Sequence, residues 1–403
     1  METFQISEIV SNGDFSPQTR DVLSVLWTLT RGCNYNCYYC SYSRNNKLSD
    51  EKFSSKENLL DAAEKILDLN RPGYQITLYG GEPTFHPHFL PLLKYLVESQ
   101  SPISLRMFTN GSRSPQFFKK IFDVSKGTPF GIVFSLHLEH ARFDNFIKVV
   151  EVAAKSGNAV GVSLMFLPKY REQAKEYVKE LLELHKKTPI FMNIVTPYTT
   201  DGIMGEDCTA EDYSWMNDSR RDFDKISIPK QLKSPFFTRI QSNITLERDG
   251  KLVTLSPEES LQLLNKSETP SYQNFFCCGG TNVIFIAENG MVSGGVCEAA
   301  EPLYNIFYES LSTIVSKMNI VQCTAKACNS IENIPLPKFQ KMDDAEVCIS
   351  AFRERVMAYY MKKPYLNNIK ENKGTFQRFK SFKDRILWKC KGSKLRLMQH
   401  FKS

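Results

Sequence analysis

The 403-residue sequence has no run of about 18 apolar residues, the length that crosses a bilayer, and its first residues lack the basic and apolar regions of a signal peptide. We therefore expect neither a membrane-spanning helix nor an export signal, and we expect a cytoplasmic protein. Outside an oxidising compartment, 11 cysteines are not expected to form a disulfide framework, because the cytosol keeps thiols reduced. Metal ligation is the alternative use of this many thiols.

Acidic residues are scarce at one end of the chain. Residues 336–403 contain 17 Lys and Arg against six Asp and Glu, so they account for the net charge of +7 and leave the rest slightly acidic. Within them Phe376, Phe379, Phe382 and Ile386 recur at helical spacing. A basic amphipathic helix of this kind binds an anionic membrane surface or an acidic partner, or packs its apolar side on the folded domain. The lack of a recognition motif disfavours nucleic acid as a partner.

Three cysteines follow an apolar, strand-like run from Val22 to Leu29. Cys33, Cys37 and Cys40 are separated by three and two residues, spacers short enough to place three thiolates around one small inorganic centre. Three ligands are one fewer than a closed iron–sulfur or zinc site needs, so a [4Fe–4S] cluster held here keeps one iron open for a substrate or cofactor. A zinc knuckle or three buried thiols are the alternatives.

Strand-like and helical patterns alternate between residues 22 and 195. Six predicted strands alternate with five predicted helices, which indicates parallel βαβ units. The predicted strands are Val22 to Leu29, Tyr74 to Tyr79, Ser104 to Phe108, Phe130 to Leu136, Ala159 to Phe166 and Ile190 to Val195. The pattern fits a partly closed barrel or an open doubly wound sheet, and both place ligand groups at the carboxyl ends of the strands.

A glycine turn, Gly80-Gly81-Glu82-Pro83, follows the second predicted strand. Glycine lets a backbone approach a ligand closely, and a carboxylate at a strand end can pair with an ammonium group. By this turn and the three-cysteine loop, in which Tyr39 precedes the third cysteine, the sequence resembles the radical SAM superfamily.

The resemblance implies an α/β fold built as a partial (β/α)6 TIM-like barrel. It implies that Cys33, Cys37 and Cys40 hold a catalytic [4Fe–4S] cluster, that Tyr39 lies in the cofactor-binding loop, and that the glycine turn contacts the amino group of S-adenosylmethionine (SAM). An external one-electron reductant of the flavodoxin or ferredoxin type is also implied.

Polar residues occur at two further strand ends. Relatives place polar groups near the methionyl carboxylate and the ribose of SAM at the positions of Asn110 and Ser135. From the residues alone, Asn110 is equally a turn residue and Ser135 equally a partner for backbone groups. Four histidines also fall near strand ends, where each is more often structural than in contact with substrate. They are His86, His88, His137 and His140.

A second cysteine group begins after residue 275, around a predicted hairpin and a predicted helix. It can gather four thiolates around a closed centre, and the predicted ligands are Cys278, Cys297, Cys323 and Cys328. The group resembles the twitch or SPASM extensions of radical SAM enzymes, which hold auxiliary [4Fe–4S] clusters, and zinc is the main rival. Cys278 is preferred over Cys277 because its spacing to the next glycine turn fits and Gly279-Gly280 gives it room.

Four domains are predicted: a radical SAM core over 1–196, an insertion beside the site over 197–275, an auxiliary region over 276–335 and a basic helical tail over 336–403. The predicted function is reductive cleavage of SAM to a 5′-deoxyadenosyl radical that abstracts hydrogen from a small polar metabolite or sugar-type substrate. The alternatives are a peptide-modifying enzyme and, from another class, a non-catalytic iron–sulfur redox or binding module. Besides a purely cytoplasmic location, the tail allows peripheral attachment to an anionic membrane.

Overall fold

The computed structural model describes most of the chain between residues 9 and 362. The described residues are 9–12, 22–40, 48, 53–99, 101–199, 202–203, 207–226, 228, 244–256, 259–260, 272–297, 300–324, 328 and 336–362. Packing divides the chain into Met1–Met357 and Ala358–Ser403. The two large β-sheets and the helices around them belong to the first unit.

Six parallel strands form the centre of the fold. They are β2 (Val22–Thr30), β3 (Gly73–Gly80), β4 (Ile103–Thr109), β5 (Phe130–His137), β6 (Ala159–Met165) and β7 (Phe191–Val195). Strands that follow one another in the chain are neighbours in the sheet, and each of these pairings is parallel. The connecting helices are α1 (Lys56–Leu67), α2 (Phe89–Glu98), α3 (Pro115–Val124), α4 (Phe143–Lys155) and α5 (Arg171–Lys187). The predicted α/β fold with a parallel sheet is confirmed.

One face of this sheet packs on the helices and the other faces the interior of the fold. Phe134 of β5 packs edge-on against Phe118 of α3 and Phe146 of α4, with ring centroids 5.3 and 6.1 Å apart. Successive side chains of a strand point to opposite faces, so Ser135 and His137 lie on the interior face. The carboxyl ends of β2 to β5 meet at one edge of the sheet, and the predicted site residues lie at these ends.

Three further strands extend the sheet beyond β2. β13 (Val283–Ile286) pairs in parallel with β2, and β14 (Met291–Ser293) and β15 (Pro302–Asn305) continue antiparallel. The hairpin predicted in the second cysteine group is therefore β13–β14, and it adjoins the strand that leads to Cys33. The helix predicted after it is α7 (Leu311–Lys317), which Ser310 caps.

A second sheet joins distant parts of the chain in the strand order β11–β10–β1–β17–β12–β16. The strands are β1 (Ile9–Asn12), β10 (Ile244–Arg248), β11 (Lys251–Thr254), β12 (Phe276–Cys278), β16 (Ile320–Gln322) and β17 (Lys338–Phe339). No strand was predicted before Val22, but Ile9 is buried with Ile244, Leu246 and Tyr272 and anchors β1. A separate two-stranded ribbon consists of β8 (Tyr198–Thr199) and β9 (Gly202–Ile203).

Helix α6 (Ala210–Asp224) lies within residues 197–275, which were predicted to form an insertion, and no helix was predicted over these residues. Its buried apolar residues, Met216 and Phe223, are too few to give a helical period. Thr209 and Asp212 form a capping box at its start, and Asp212 also pairs with Arg171 of α5. The helix is thus positioned by a cap and a tertiary ion pair, neither of which hydrophobic periodicity reveals.

The last described element is α8 (Met342–Lys362), which buries Ile349, Phe352 and Val356. The basic amphipathic helix predicted in the tail, which contains Phe376, Phe379 and Phe382, lies outside the described residues. In the part of the chain that the structure describes, no helix combines the length and apolar character needed to cross a bilayer.

Candidate active site

The three-cysteine loop begins directly after β2. Cys37 is buried and Cys33 and Cys40 are partly buried, and the Cys40 amide donates to the Cys37 carbonyl at 3.0 Å. The pKa of the Cys37 thiol is raised mainly by burial and further by the charges of Cys33 and Cys40 on the same loop. The structure therefore brings together the three residues predicted to hold the first cluster.

Burial raises the pKa of the Cys33 and Cys37 thiols to about 12. A thiolate is the form that binds metal, and ionising several buried thiols side by side is unfavourable unless a cation offsets their charge. Cys33, Cys37 and Cys40 on one loop suit an iron–sulfur cluster with one iron left open. The donor set thus fits the predicted [4Fe–4S] cluster.

Gly80 and Gly81 are required because β3 ends against the backbone that precedes Cys33. The Gly81 amide donates to the Thr30 carbonyl at 2.7 Å, and the Glu82 amide donates to the Gly32 carbonyl at 3.0 Å. A Cβ atom on Gly81 would overlap the Gly32 carbonyl oxygen, and one on Gly80, where φ is +135°, would overlap that of Thr30. The glycine turn therefore fixes the start of the cysteine loop.

Glu82 is fully buried, and its carboxylate is held by four hydrogen bonds. Oε1 accepts from the Thr84 amide (3.1 Å), the Thr84 hydroxyl (2.5 Å) and the Thr109 hydroxyl (2.8 Å), while Oε2 accepts from the Asn110 amide (2.7 Å). Burial raises the pKa of Glu82, and these hydrogen bonds oppose that effect. Pro83 follows as the first residue of a short 3-10 helix, Pro83–Phe85.

Asn110 links Glu82 to the cysteine loop. Its side-chain amide donates to Asn34 Oδ1 at 2.9 Å and to Cys33 Sγ at 3.7 Å, while its backbone amide binds Glu82. Thr109, which the sequence analysis did not single out, donates to the same carboxylate. Its position at the end of β4, next to Asn110, is the signal that could have identified it.

His137 lies at the end of β5 against the cysteine loop. Its Nδ1 is 2.8 Å from the Tyr39 hydroxyl and 3.5 Å from Cys37 Sγ, and its ring stacks on that of Tyr39. Burial lowers the pKa of His137 to about 4, so its ring is neutral at pH 7. Ser135, two residues earlier, shares the interior face with His137.

The other histidines have separate surroundings. His140 packs against Tyr35, and with Glu139 and Cys37 it places ligand atoms within 4.8 Å of one another at the edge of the same site. His86 is buried and accepts a hydrogen bond from the His88 amide at 3.1 Å, which is a structural contact. Two of the four histidines therefore contact the cysteine loop: His137 through Tyr39 and His140 through Tyr35.

Comparison with known proteins identifies this part of the chain. Residues 27–196 match the sequence model of the radical SAM superfamily. These residues form a radical SAM domain. Radical SAM proteins use a [4Fe–4S] cluster and SAM, so the prediction of both cofactors is confirmed. The assignment of individual cofactor-binding residues remains a prediction.

Relatives of the radical SAM domain are remote. A protein of Methanocaldococcus jannaschii, provisionally named a glycyl-radical enzyme activating enzyme, is 25% identical over 236 residues, which cover 55% of this chain and 82% of the relative. Among solved structures, SuiB of Streptococcus suis bound to SAM is 14% identical with a TM-score of 0.46, over 73% of this chain and 65% of SuiB. Native anSMEcpe with bound SAM is 15% identical with a TM-score of 0.46, over 83% of this chain and 98% of that chain.

The second cysteine group surrounds a small cavity, which we call the four-thiol cavity. Its cysteines are Cys277, Cys297, Cys323 and Cys328. The choice of Cys278 is corrected, because adjacent residues of β12 point to opposite faces. Cys278 lies on the far face, where its thiol donates to the Ala345 carbonyl at 3.6 Å and hydrogen bonds with Cys348.

Glycines bring the two sides of the four-thiol cavity together. Gly280 donates its amide to the Gly294 carbonyl at 3.0 Å, and a Cβ atom on Gly294 would approach the Gly280 nitrogen to 2.7 Å. The pair Gly279-Gly280 therefore makes room for the Gly294-Gly295 turn that precedes Cys297, rather than for the Cys278 side chain.

Proposed function

We propose that this chain is an enzyme that cleaves SAM reductively and abstracts hydrogen from a small polar metabolite or sugar-type substrate, oxidising or rearranging it. The observation that supports this proposal is the grouping of Cys33, Cys37 and Cys40 with buried Glu82 at the carboxyl edge of the parallel sheet. When bound, the cluster and SAM supply a 5′-deoxyadenosyl radical.

The residues around the cluster position the cofactors. In this proposal the three thiolates hold three irons, and the buried Glu82 carboxylate pairs with the ammonium group of SAM. Oε2 of Glu82 is the suitable atom, because it accepts one hydrogen bond whereas Oε1 accepts three. Asn110 positions this carboxylate relative to Cys33, whose sulfur accepts a hydrogen bond from the Asn110 side chain. His137 fixes the position of Tyr39 within the cysteine loop. The electron comes from a flavodoxin- or ferredoxin-type reductant.

A cavity lined by residues of β5 to β7 and of the end of α6 supports a small substrate. Its volume of about 770 Å³ lies within the roughly 300–1,000 Å³ typical of small-molecule sites. Ser163 and Asn193 line it, and register pairing aligns them with Ser135 in one row across the three strands. Hydroxyl and amide groups in such a row suit hydrogen bonding to the hydroxyls of a sugar-like molecule.

A peptide or protein substrate is the second candidate. The name of the Methanocaldococcus jannaschii relative, an activating enzyme for glycyl-radical enzymes, favours a protein as the target. The four-thiol cavity does not distinguish a small-molecule substrate from a peptide substrate. The substrate class therefore has to be determined by experiment.

Release of 5′-deoxyadenosine distinguishes the substrate classes. We expect the anaerobically reconstituted protein, supplied with SAM and dithionite, to release more 5′-deoxyadenosine when the dialysable small-molecule fraction of a cell extract is added. The macromolecular fraction should not raise the rate of 5′-deoxyadenosine release above the rate without any addition. All rates are measured by chromatography and mass spectrometry. Stimulation by the macromolecular fraction alone would favour the peptide-modifying alternative. If no 5′-deoxyadenosine is released with either fraction or without them, the non-catalytic iron–sulfur module is the alternative that remains.

We further propose that Cys277, Cys297, Cys323 and Cys328 hold an auxiliary [4Fe–4S] cluster. Four cysteines from separate segments line one cavity, the arrangement of a closed cluster site. Burial raises the pKa of Cys277 to about 12, so a bound cation is needed to keep this thiolate ionised at neutral pH.

Replacing Cys277 by serine is expected to remove about four irons per chain, because one ligand of the auxiliary cluster is lost. Cys278→Ser is the matched control and should leave the iron content unchanged, because its thiol lies on the other face of β12. Iron and sulfide are measured on both variants reconstituted side by side. Loss of iron in Cys278→Ser alone, or zinc in place of the second set of irons, would contradict the proposal.

A further inference from the structure

Phe108 is an exposed aromatic side chain on one of the central strands. It lies on β4, which has β3 on one side and β5 on the other, and 39% of its surface is exposed. The other large apolar residues that are exposed in the described part of the chain lie outside β2 to β7. Its neighbours Met107 and Thr109 are buried, so the exposure belongs to one face of β4.

The exposed ring lies on the face of the sheet that carries Ser135. Phe108 pairs in register with Val133 of β5, and Val133 precedes Ser135 by two residues, so these three side chains share the interior face. Val133 pairs in turn with Gly161 of β6, and both residues line the cavity of about 770 Å³. The row of residues that begins at Phe108 therefore continues into the cavity wall.

Phe108 also directly precedes the residues that hold Glu82. The Thr109 hydroxyl donates to Glu82 Oε1 at 2.8 Å, and the Asn110 amide donates to Oε2 at 2.7 Å. A molecule that lies on the Phe108 ring is therefore near the edge of the sheet where SAM is proposed to bind. This part of the site combines an aromatic surface with polar groups, the usual composition of a small-molecule site.

We propose that Phe108 selects a ring-shaped polyol, a sugar or a cyclitol, as the substrate. This inference rests on the proposed function with a small polar substrate. The C–H groups of such a ring form an apolar face, which stacks on Phe108 and removes the exposed aromatic ring from water. The hydroxyls at the rim of the polyol reach the polar row of Ser135, Ser163 and Asn193. An open-chain polyol has similar hydroxyls but no fixed apolar face, so Phe108 favours the ring.

The test measures the release of 5′-deoxyadenosine by full-length reconstituted protein with SAM, dithionite and increasing amounts of the dialysable fraction of a cell extract. Phe108→Ala removes the aromatic ring, Phe108→Leu keeps apolar volume without a planar ring, and Phe108→Tyr keeps the ring. Tyr308→Ala is the control, because it removes an aromatic ring that is 77% exposed and lies outside the central strands. In a second arm the fraction is treated with periodate, which cleaves vicinal diols, and excess periodate is removed before the assay. Iron content and melting temperature are measured for every variant.

We expect Phe108→Ala and Phe108→Leu to need at least about ten times more of the fraction for half-maximal stimulation, because the stacking contact is lost. Phe108→Tyr and Tyr308→Ala should respond like the parent, and periodate should abolish the stimulation. A normal response in Phe108→Leu, or a lost response in Phe108→Tyr with normal iron content, overturns the stacking role. Stimulation that survives periodate overturns the polyol class. If the fraction does not stimulate the parent, the proposed small-molecule function fails together with this inference.

Discussion

Replacing Cys33, Cys37 and Cys40 together by alanine is expected to abolish the release of 5′-deoxyadenosine and to remove about four of about eight irons per chain. The three thiols lie on one loop after β2, and no single one can hold a cluster without the others. In the proposed reaction the cluster and SAM would supply the radical, so no other group of the protein could replace them. Iron analysis and chromatographic assay of 5′-deoxyadenosine, both under anaerobic conditions, measure the two effects.

The control for this variant is Cys208→Ala. Cys208 is a partly buried cysteine just before α6, beside Arg171 and Asp212 rather than beside either cysteine group. It should retain full iron content and a normal rate of 5′-deoxyadenosine release. If the triple variant were to release 5′-deoxyadenosine at the parental rate, the radical SAM function of this loop would be refuted.

Gly81→Ala is expected to have the second largest effect, although residue 81 bears no reactive group. Its new Cβ atom would overlap the Gly32 carbonyl oxygen and lie 2.5 Å from that of Arg31, so the backbone leading into Cys33 has to move. Overpacking of this kind costs about 1–3 kcal/mol of folding free energy. A displacement of about 1 Å at reacting groups lowers rates roughly 100-fold, and we expect a loss of that order in 5′-deoxyadenosine release.

Gly73→Ala provides the comparison for Gly81→Ala. Gly73 begins β3, the strand that Gly81 follows, and a Cβ atom there would meet its nearest neighbour, Val22 Cγ2, at 3.4 Å, which is ordinary contact. This variant should keep its cluster, its melting temperature and its rate. Thermal unfolding, iron content and the 5′-deoxyadenosine assay are compared for both. Normal iron and rate in Gly81→Ala would show that the glycine turn does not position the cysteine loop.

The positions of the central strands along the chain could be predicted because each strand is encoded locally. An apolar run such as Val22 to Leu29 and a helical period such as that of α1 are properties of neighbouring residues. The spacing of Cys33, Cys37 and Cys40 is local too, since all three lie on one loop. Glu82 and Asn110 were found because they follow strands, but their mutual contact depends on β3 and β4 lying side by side.

Other parts of the site depend on contacts between distant segments. His137 contacts the site through Tyr39, which follows a different strand, so the sequence neighbours of His137 do not distinguish it from the other histidines. The helix α6 is held by its cap and by Arg171 of α5, and its polar sequence contains no apolar period. Strand β1 is recognisable as a strand only beside β10 and β17.

The sequence by itself determined that this chain has a parallel α/β sheet with a three-cysteine loop and a glycine turn at its carboxyl edge. Only the tertiary structure decided that Cys277, and not Cys278, faces the other three cysteines, and that Lys338 shares their cavity. The physical reason is that a strand sends adjacent side chains to opposite faces, while the face that becomes the cavity is set by pairing with β16 and β17. That pairing is a long-range contact, which no local pattern of residues encodes.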